Sequence, residues 1–290
     1  MIIVRLMGGL GNQLFQYAAA SHLAKLNHTD LYVDLTFLQS SVEGTSKRNY
    51  ELNAFNVDCQ IADEKVLYDF HGHDFSTKER VWTHLVSFGK NKKYKFDEYG
   101  FDPHLLELKG NYYIRGFFQS DKYFKKIADS IRASLTIKEE FIPKDAVLIN
   151  KIKSSNAVAI HIRRGDYIRN LSSMDAHGIC SKDYYSKAIN HMKSQFGDDV
   201  PFFLFTDDEK WVREEMHWDI NSTLISGNSA VEDFYLMSIC KHHIIANSTF
   251  SWWAAWLNNN PDKVVIVPKH WTCNLQTESI ELVPKGWIVK

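Results

Sequence analysis

The amino-acid sequence predicts an α/β protein built on parallel sheets, and three features carry that expectation. Short apolar runs alternate with helical patterns along most of the chain. The chain opens on a strand, a glycine turn and a helix, followed by a second strand that ends near Asp34. Further on, a wholly apolar strand, Ala157 to Ile162 apart from His161, runs directly into Arg163-Arg164-Gly165-Asp166. Strands that alternate with helices form parallel sheets covered on both faces, because each crossover lays a helix over the sheet.

Taken in order, Ile2 to Leu6 reads as a strand and Gly8-Gly9-Leu10-Gly11-Asn12 as the turn. From Gln13 the residues Leu14, Tyr17, Ala18, Ser21, His22 and Ala24 recur at helical spacing. Leu31 to Leu35 supplies the second strand. Between about 40 and 110 no period dominates, which predicts irregular structure with short helices. Tyr112 to Phe118 is a further strand, and Asp121 to Leu135 a helix with Asp121 at its N-cap. The segments 141–144 and 151–156 mark a boundary, dividing the chain into 1–150 and 151–290. Beyond it, strands at 157–162, 202–205, 222–225, 243–246 and 264–267 alternate with helices at 181–196, 209–216, 232–241 and 251–257.

The 290 residues fit one large α/β domain or two coupled halves. With 44% apolar residues the chain can bury a core, and 24% charged residues keep its surface polar. A formal net charge of −1 argues against nucleic-acid binding, which needs a basic excess. An anionic ligand must then be held by a local cluster. Cys59, Cys180, Cys240 and Cys273 are scattered without CxxC spacing, as expected of reduced thiols. The first residues lack the charged and apolar segments of a signal peptide, and no apolar run reaches the roughly 20 residues of a membrane span. The expectation is a cytoplasmic protein, at most peripheral at the cytoplasmic face of the inner membrane.

Four segments carry chemistry. Gly9 and Gly11, with Asp34 at the next strand end, imitate a dinucleotide fingerprint, but the third glycine position holds Leu14. A nicotinamide site, a bare β–α turn and an anion site at a helix start all remain open there. Asn12 and Gln13 add amides that suit sugar hydroxyls. At the second segment, strand alternation puts His161 and Arg163 on one face, and two arginines at a strand end match a diphosphate in charge and shape. A structural pair between Arg164 and Asp166 is the alternative. The third, Asn247-Ser248-Thr249-Phe250-Ser251-Trp252-Trp253, reads as a second anion cradle at a helix start, or as ordinary capping. The fourth, Thr206-Asp207-Asp208, places two carboxylates to hold ribose hydroxyls, orient the arginines or cap a helix. There is no Walker phosphate loop, HExxH or nucleophile elbow, and no Asp-x-Asp flanks the carboxylates to make a metal site.

GGLGNQLFQ at 8–16, HIRRGDY at 161–167 and NSTFSWW at 247–253 resemble the bacterial α-1,2-fucosyltransferases of glycosyltransferase family 11. FTDD at 205–208, EDFYLMS at 232–238 and IVP-x-x-W at 266–271 extend the resemblance over nearly the whole chain. It implies a GT-B-like architecture, two Rossmann-type halves facing a cleft, with 1–150 on the acceptor side and 151–290 binding GDP-fucose. The implied reaction is inverting, metal-independent transfer of L-fucose to the 2-hydroxyl of a terminal β-galactoside, in O-antigen or related glycan synthesis, without a cofactor. By carry-over, Arg163 contacts the β-phosphate, His161, Arg164, Asp208 and Asp233 lie at the nucleotide, and Ser248, Thr249, Phe250 and Ser251 complete the phosphate site. Gly9, Gly11 and Gln13 face the donor sugar. Arg163, Asp166 as general base and Asn12 as orienter of the acceptor hydroxyl make the expected catalytic set. The other readings are a different fucosyl linkage (α-1,3 or α-1,6), an NAD-linked oxidoreductase, and a non-catalytic glycan-binding module suggested by the many aromatic residues.

Overall fold

The computed structural model describes residues 1–39, 48–71, 91–96, 100–165, 178–278 and 280–290. The chain divides into two units, Met1–Thr136 and Ile137–Lys290. The sequence reading placed this division at 150–151. The intervening helix, Ala146–Ser154, belongs to the second unit and packs there against the helix Ala230–Ile239.

In the first unit, β1 (Ile2–Arg5) leads into α1 (Leu10–Leu26), and β2 (Leu31–Asp34) follows. The short helix α2 (Thr36–Gln39) precedes β3 (Gln60–Ile61), α3 (Glu64–His71) and β4 (Asn91–Phe96). Then come β5 (Asn111–Gly116) and α4 (Ala128–Ser134). The sheet runs β3-β2-β1-β5-β4 and every pair is parallel. The stretch expected to be irregular thus supplies two edge strands. Both are short or lysine-rich, so neither shows the apolar period by which a strand is recognised. The expected helix from Asp121 begins as two 3₁₀ turns, Asp121–Tyr123 and Lys125–Ile127, and the cap is Ser120, whose hydroxyl accepts from the Lys122 N–H.

The second unit starts with α5 (Ala146–Ser154) and β6 (Val158–Ile162). It continues through α6 (Lys182–Phe196), β7 (Phe202–Thr206), α7 (Glu209–Glu215) and β8 (Ser222–Leu224). After α8 (Ala230–Ile239) come β9 (His242–Ile244), α9 (Thr249–Leu257) and β10 (Val265–Val267). A small hairpin, β11 (His270–Thr272) and β12 (Leu275–Gln276), precedes β13 (Ile288–Val289).

This sheet runs β13-β10-β9-β6-β7-β8, parallel throughout. Strand order reverses between β6 and β9: the chain steps outward from β6 to β8 and then returns to β9. In open α/β sheets ligands bind at the carboxyl ends of the strands flanking such a reversal, where the loops part in opposite directions. One face of β6, carrying Val158, Ile160 and Ile162, packs on Tyr184, Tyr185, Ala188 and Met192 of α6. Each such fully buried aliphatic side chain contributes about 1.5–3 kcal/mol.

Tyr184 also ties the reversal together, since its buried hydroxyl lies 2.6 Å from the Ile245 carbonyl and 3.1 Å from that of Ile266. Tyr184→Phe leaves these carbonyls without that donor and is expected to cost about 1–3 kcal/mol. Urea unfolding should show a lower midpoint with an unchanged slope; an unchanged midpoint would contradict this role.

Candidate functional site

At the carboxyl end of β6 the side-chain alternation that buries Ile160 and Ile162 on one face turns His161 to the other. His161 is buried, and its Nδ1 lies 2.8 Å from the Ser251 hydroxyl in the first turn of α9. The Tyr185 hydroxyl donates to the His161 carbonyl at 3.0 Å, fixing the strand end from its opposite face. Burial, and then the neighbouring Arg163 charge, hold the imidazole well below its ordinary pKa, with Asp207 opposing them. The ring is therefore neutral at physiological pH.

The two arginines are held by the adjacent strand end. Asp207 accepts from the backbone N–H of Arg164 at 2.8 Å and of Gly165 at 3.0 Å through Oδ1. Its Oδ2 lies 3.1 Å from Nη1 of Arg163, with both side chains about three-quarters buried. Glycine is required at 165, because an added Cβ would sit 2.9 Å from the Asp207 carbonyl oxygen. Arg164 lies flat on Trp211, its guanidinium carbon 3.7 Å from the ring centroid, and its Nε is 3.8 Å from Asp208. Such stacking is worth about 0.5–2 kcal/mol. Asp208 also caps α7 by accepting from the Trp211 N–H at 3.2 Å. Both carboxylates of the Thr206-Asp207-Asp208 segment thus orient arginines, and Asp208 caps a helix as well. The alternative partner for Arg164, Asp166, lies outside the described residues.

Across the strand reversal, Ser248 occupies the N-cap of α9 without a side-chain hydrogen bond to the helix. Ser248, Thr249 and Phe250 are partly exposed, whereas Ser251 is buried against His161. Ordinary capping is therefore not what these hydroxyls do. The N–H groups at a helix start favour an anion. The tryptophans that follow are core: Trp252 and Trp253 are buried and pack edge to face. Phe250 packs 5.7 Å from His161 and 5.3 Å from Phe234 (ring centroids), which joins α9 to α8. Asp233, in the first turn of α8, bonds Asn228 at 3.0 Å, and burial raises its pKa. Arg163, Arg164, Asp208, Asp233 and residues 248–251 thus all lie at the carboxyl ends of β6, β7, β8 and β9.

The glycine-rich segment belongs to the first unit, at the carboxyl end of β1. Here α1 begins at Leu10, with extended Gly9 as its N-cap, so Gly11 and Asn12 lie in its first turn and not in the preceding loop. The backbone that demands glycine is Gly8, at φ +77°, where an added Cβ would meet the Asn12 amide nitrogen at 2.5 Å. The position favoured for an anion at the start of α1 holds the chain's own Glu51, hydrogen-bonded to the Leu10 N–H and raised in pKa by burial. Gln13 is fully buried, and its amide bonds Gly8, Asn49 and Glu51 main-chain atoms at 2.8–3.0 Å. It holds the loop together. Asn12 is partly exposed, and its Oδ1 accepts from Gln119 at 2.9 Å. Asp34, which completes the dinucleotide-like pattern, is buried and accepts from the Tyr113 hydroxyl at 2.6 Å and the Thr36 N–H at 2.8 Å.

Sequence reasoning left Asp207 without a definite role and missed Trp211 and Gln119. Strand register held the signal for Asp207: Ile162 pairs with Thr206, so continuing both chains aligns Arg163 with Asp207 and Arg164 with Asp208. Among the described residues no group of three or more His, Cys, Asp and Glu side chains is placed to hold a metal ion, and no helix is long and apolar enough to cross a membrane.

Comparison with known proteins bears on the whole chain. The model of Glycosyl transferase family 11 matches residues 1–289. The O-antigen biosynthesis glycosyltransferase WbnK of Escherichia coli is 34% identical over 98% of this chain and 98% of its own length. Alpha-1,2-colitosyltransferase of Escherichia coli is 30% identical over 99% and 98%. Galactoside 2-alpha-L-fucosyltransferase Sec1 of Mus musculus is 23% identical over 89% of this chain and 64% of that protein. Among solved structures, POFUT1 in complex with GDP matches with a TM-score of 0.53 and 13% identity, over 92% of this chain and 97% of that one. That last likeness bears on the fold, α/β with parallel sheets of the GT-B-like kind.

The buried neutral His161 has a consequence for stability. An unfolded histidine takes up a proton near pH 6.5, whereas the folded one resists it. The folded state is therefore favoured above about pH 6.5 and loses this contribution as pH falls below it. His161→Asn should flatten the decline in unfolding free energy between about pH 6.5 and 5. Buried His243 and His242, also depressed, leave a residual slope. An equally steep decline in the variant, by urea titration at each pH, would contradict a neutral His161.

Proposed function

The chain belongs to glycosyltransferase family 11, and we propose that it transfers L-fucose from GDP-fucose to the 2-hydroxyl of a terminal β-galactoside. The observation that carries this reading is the pairing of Arg163, held by Asp207, with the N-terminus of α9 on the other side of the strand reversal. Two sources of positive potential at one switch point suit a diphosphate. The motif resemblance to α-1,2-fucosyltransferases and the α-1,2 linkage in the colitosyltransferase relative's name support the linkage. The O-antigen relative supports a setting in surface-glycan synthesis, and a cytoplasmic enzyme, at most peripheral at the membrane face, would suit that setting.

In an inverting transfer the acceptor oxygen attacks the anomeric carbon from the face opposite the nucleotide. The bond from that carbon to the β-phosphate oxygen breaks, and negative charge grows on the leaving GDP. Arg163 and the α9 amides stabilise that charge as it develops, and such preorganised donors contribute most when they tighten on the transition state. His161 is neutral and adds no competing positive charge; it anchors Ser251 and hence the start of α9. Asp166 is assigned as the general base and Asn12 as the amide that orients the acceptor hydroxyl. On this account the arginine and helix dipole replace a metal ion and no cofactor is needed.

The relative that transfers colitose favours a second donor reading. Colitose is L-fucose without its 3-hydroxyl, so one hydrogen-bonded hydroxyl separates the two donors. A site built to bond that hydroxyl rejects the deoxy sugar strongly.

With GDP-fucose and GDP-colitose offered in parallel to a β-galactoside in EDTA, the α-1,2-fucosylated product, identified by NMR, should form faster than the colitosylated one. Preference for GDP-colitose would install the second reading, and absence of both products would end the first. Arg163→Ala should lower kcat by about two orders of magnitude or more, by analogy with loss of an oxyanion-hole donor. Arg163→Lys should not restore it, because an ammonium lacks the planar fork.

A further inference from the structure

The loop after β5 approaches the start of α1 through one hydrogen bond that no reading above explains. Gly116 ends the strand where any side chain would collide, its added Cβ meeting the Phe96 carbonyl oxygen at 2.6 Å and the Phe118 ring at 2.9 Å. Phe118 then adopts φ +51°, a left-handed conformation that is strained for a bulky residue. The strain is held in place by the Phe118 ring, which is fully buried and packs edge-on against Tyr123 at 5.6 Å. Gln16 of α1 braces the same region, donating to the Gly116 carbonyl at 3.2 Å and accepting from the Met7 N–H at 3.0 Å.

This bend returns the chain to α1. Gln119 is buried, 8% exposed, and its Nε2 donates to Oδ1 of Asn12 at 2.9 Å. Its own Oε1 is buried without a hydrogen-bond partner, an arrangement that is unfavourable unless something is gained in return. The strained Phe118 and the orphaned acceptor of Gln119 thus stand side by side where the chain touches Asn12, and such features persist where the surrounding structure enforces a functional geometry. An amide whose oxygen is already engaged can offer only its nitrogen.

We infer that Gln119 is a positioning residue that fixes the orientation of the Asn12 amide, so that Asn12 presents Nδ2 to substrate as a hydrogen-bond donor. This rests on the proposed role of Asn12 in sugar transfer and sharpens it. Asn12 bonds a substrate oxygen by donation and takes no proton.

Gln119→Glu gives a test that a merely structural role would not pass. Protonated, the introduced carboxyl can still donate to Asn12 Oδ1. Ionised, it can only accept, and the Asn12 amide must turn its nitrogen inward. Activity with GDP-fucose, as a ratio to wild type, should fall as pH rises through the titration of the new carboxyl, by on the order of 10²-fold when fully ionised. The Asn12 side-chain ¹⁵N–¹H signal, assigned by its loss in Asn12→Asp, should move along the same curve. A flat or rising activity ratio with an unmoved Asn12 signal overturns the inference. Asn12→Asp, which keeps the bond from Gln119, guards against poor folding of the first variant. It should be strongly impaired at pH 7 and recover relative to wild type as pH falls, and wild-type turnover by it at pH 7 also overturns the inference. If the wild type transfers no fucose while the Asn12 signal of Gln119→Glu still titrates, the orientation stands and the functional reading fails.

Discussion

The second unit's site depends on one carboxylate, that of Asp207. It accepts from two consecutive backbone N–H groups beyond β6 and pairs with the Arg163 guanidinium through its other oxygen. Three contacts from one residue set both the path of the chain leaving β6 and the plane of the arginine. For a pair this far buried, the cost of desolvating both charges offsets much of their attraction, so its value here is geometric. The planar guanidinium so placed has the forked geometry that suits phosphate oxygens. The glycine at 165 is the steric counterpart, since only there can the backbone lie so close to Asp207.

The electrostatics around this point are consistent with the phosphate role proposed for it. Two arginines face two aspartates, while the histidine between them is neutral because burial and the Arg163 charge both disfavour its protonation. The start of α9 is held by the His161–Ser251 bond and not by a capping side chain. In the first unit the corresponding helix start is already occupied by Glu51. Two glycine- or serine-marked helix starts that look alike in sequence are thus electrostatically different: one is satisfied by the chain itself, and the other is suited to a phosphate.

Much of this was legible in the sequence because strong apolar periodicity marks buried parallel strands. The β6 strand, the β/α alternation after it and the placing of the arginines at a strand end all follow from that pattern. Register was legible in principle: once HIRR and FTDD are laid on adjacent parallel strands, each arginine meets its aspartate. Three things were hidden. The strands β3 and β4 are edge elements whose polar composition hides their period. The start of α1 falls three residues earlier than its apolar spacing indicates, because glycine and asparagine carry no helical signal. The Gln119–Asn12 bond depends on a left-handed phenylalanine, a conformation that no local pattern announces.

If Arg163, set by Asp207, recognises the phosphate that leaves with the nucleotide, the contact is measurable in binding alone. Calorimetric titration of GDP and GMP against the wild type and Arg163→Ala tests it without any acceptor or turnover. The account predicts that the wild type prefers GDP by about tenfold or more, the worth of roughly 1.4 kcal/mol from a charge-assisted contact. It also predicts that this preference disappears in the folded variant while GMP affinity is kept. An undiminished preference for GDP in Arg163→Ala would place the phosphate elsewhere and contradict it.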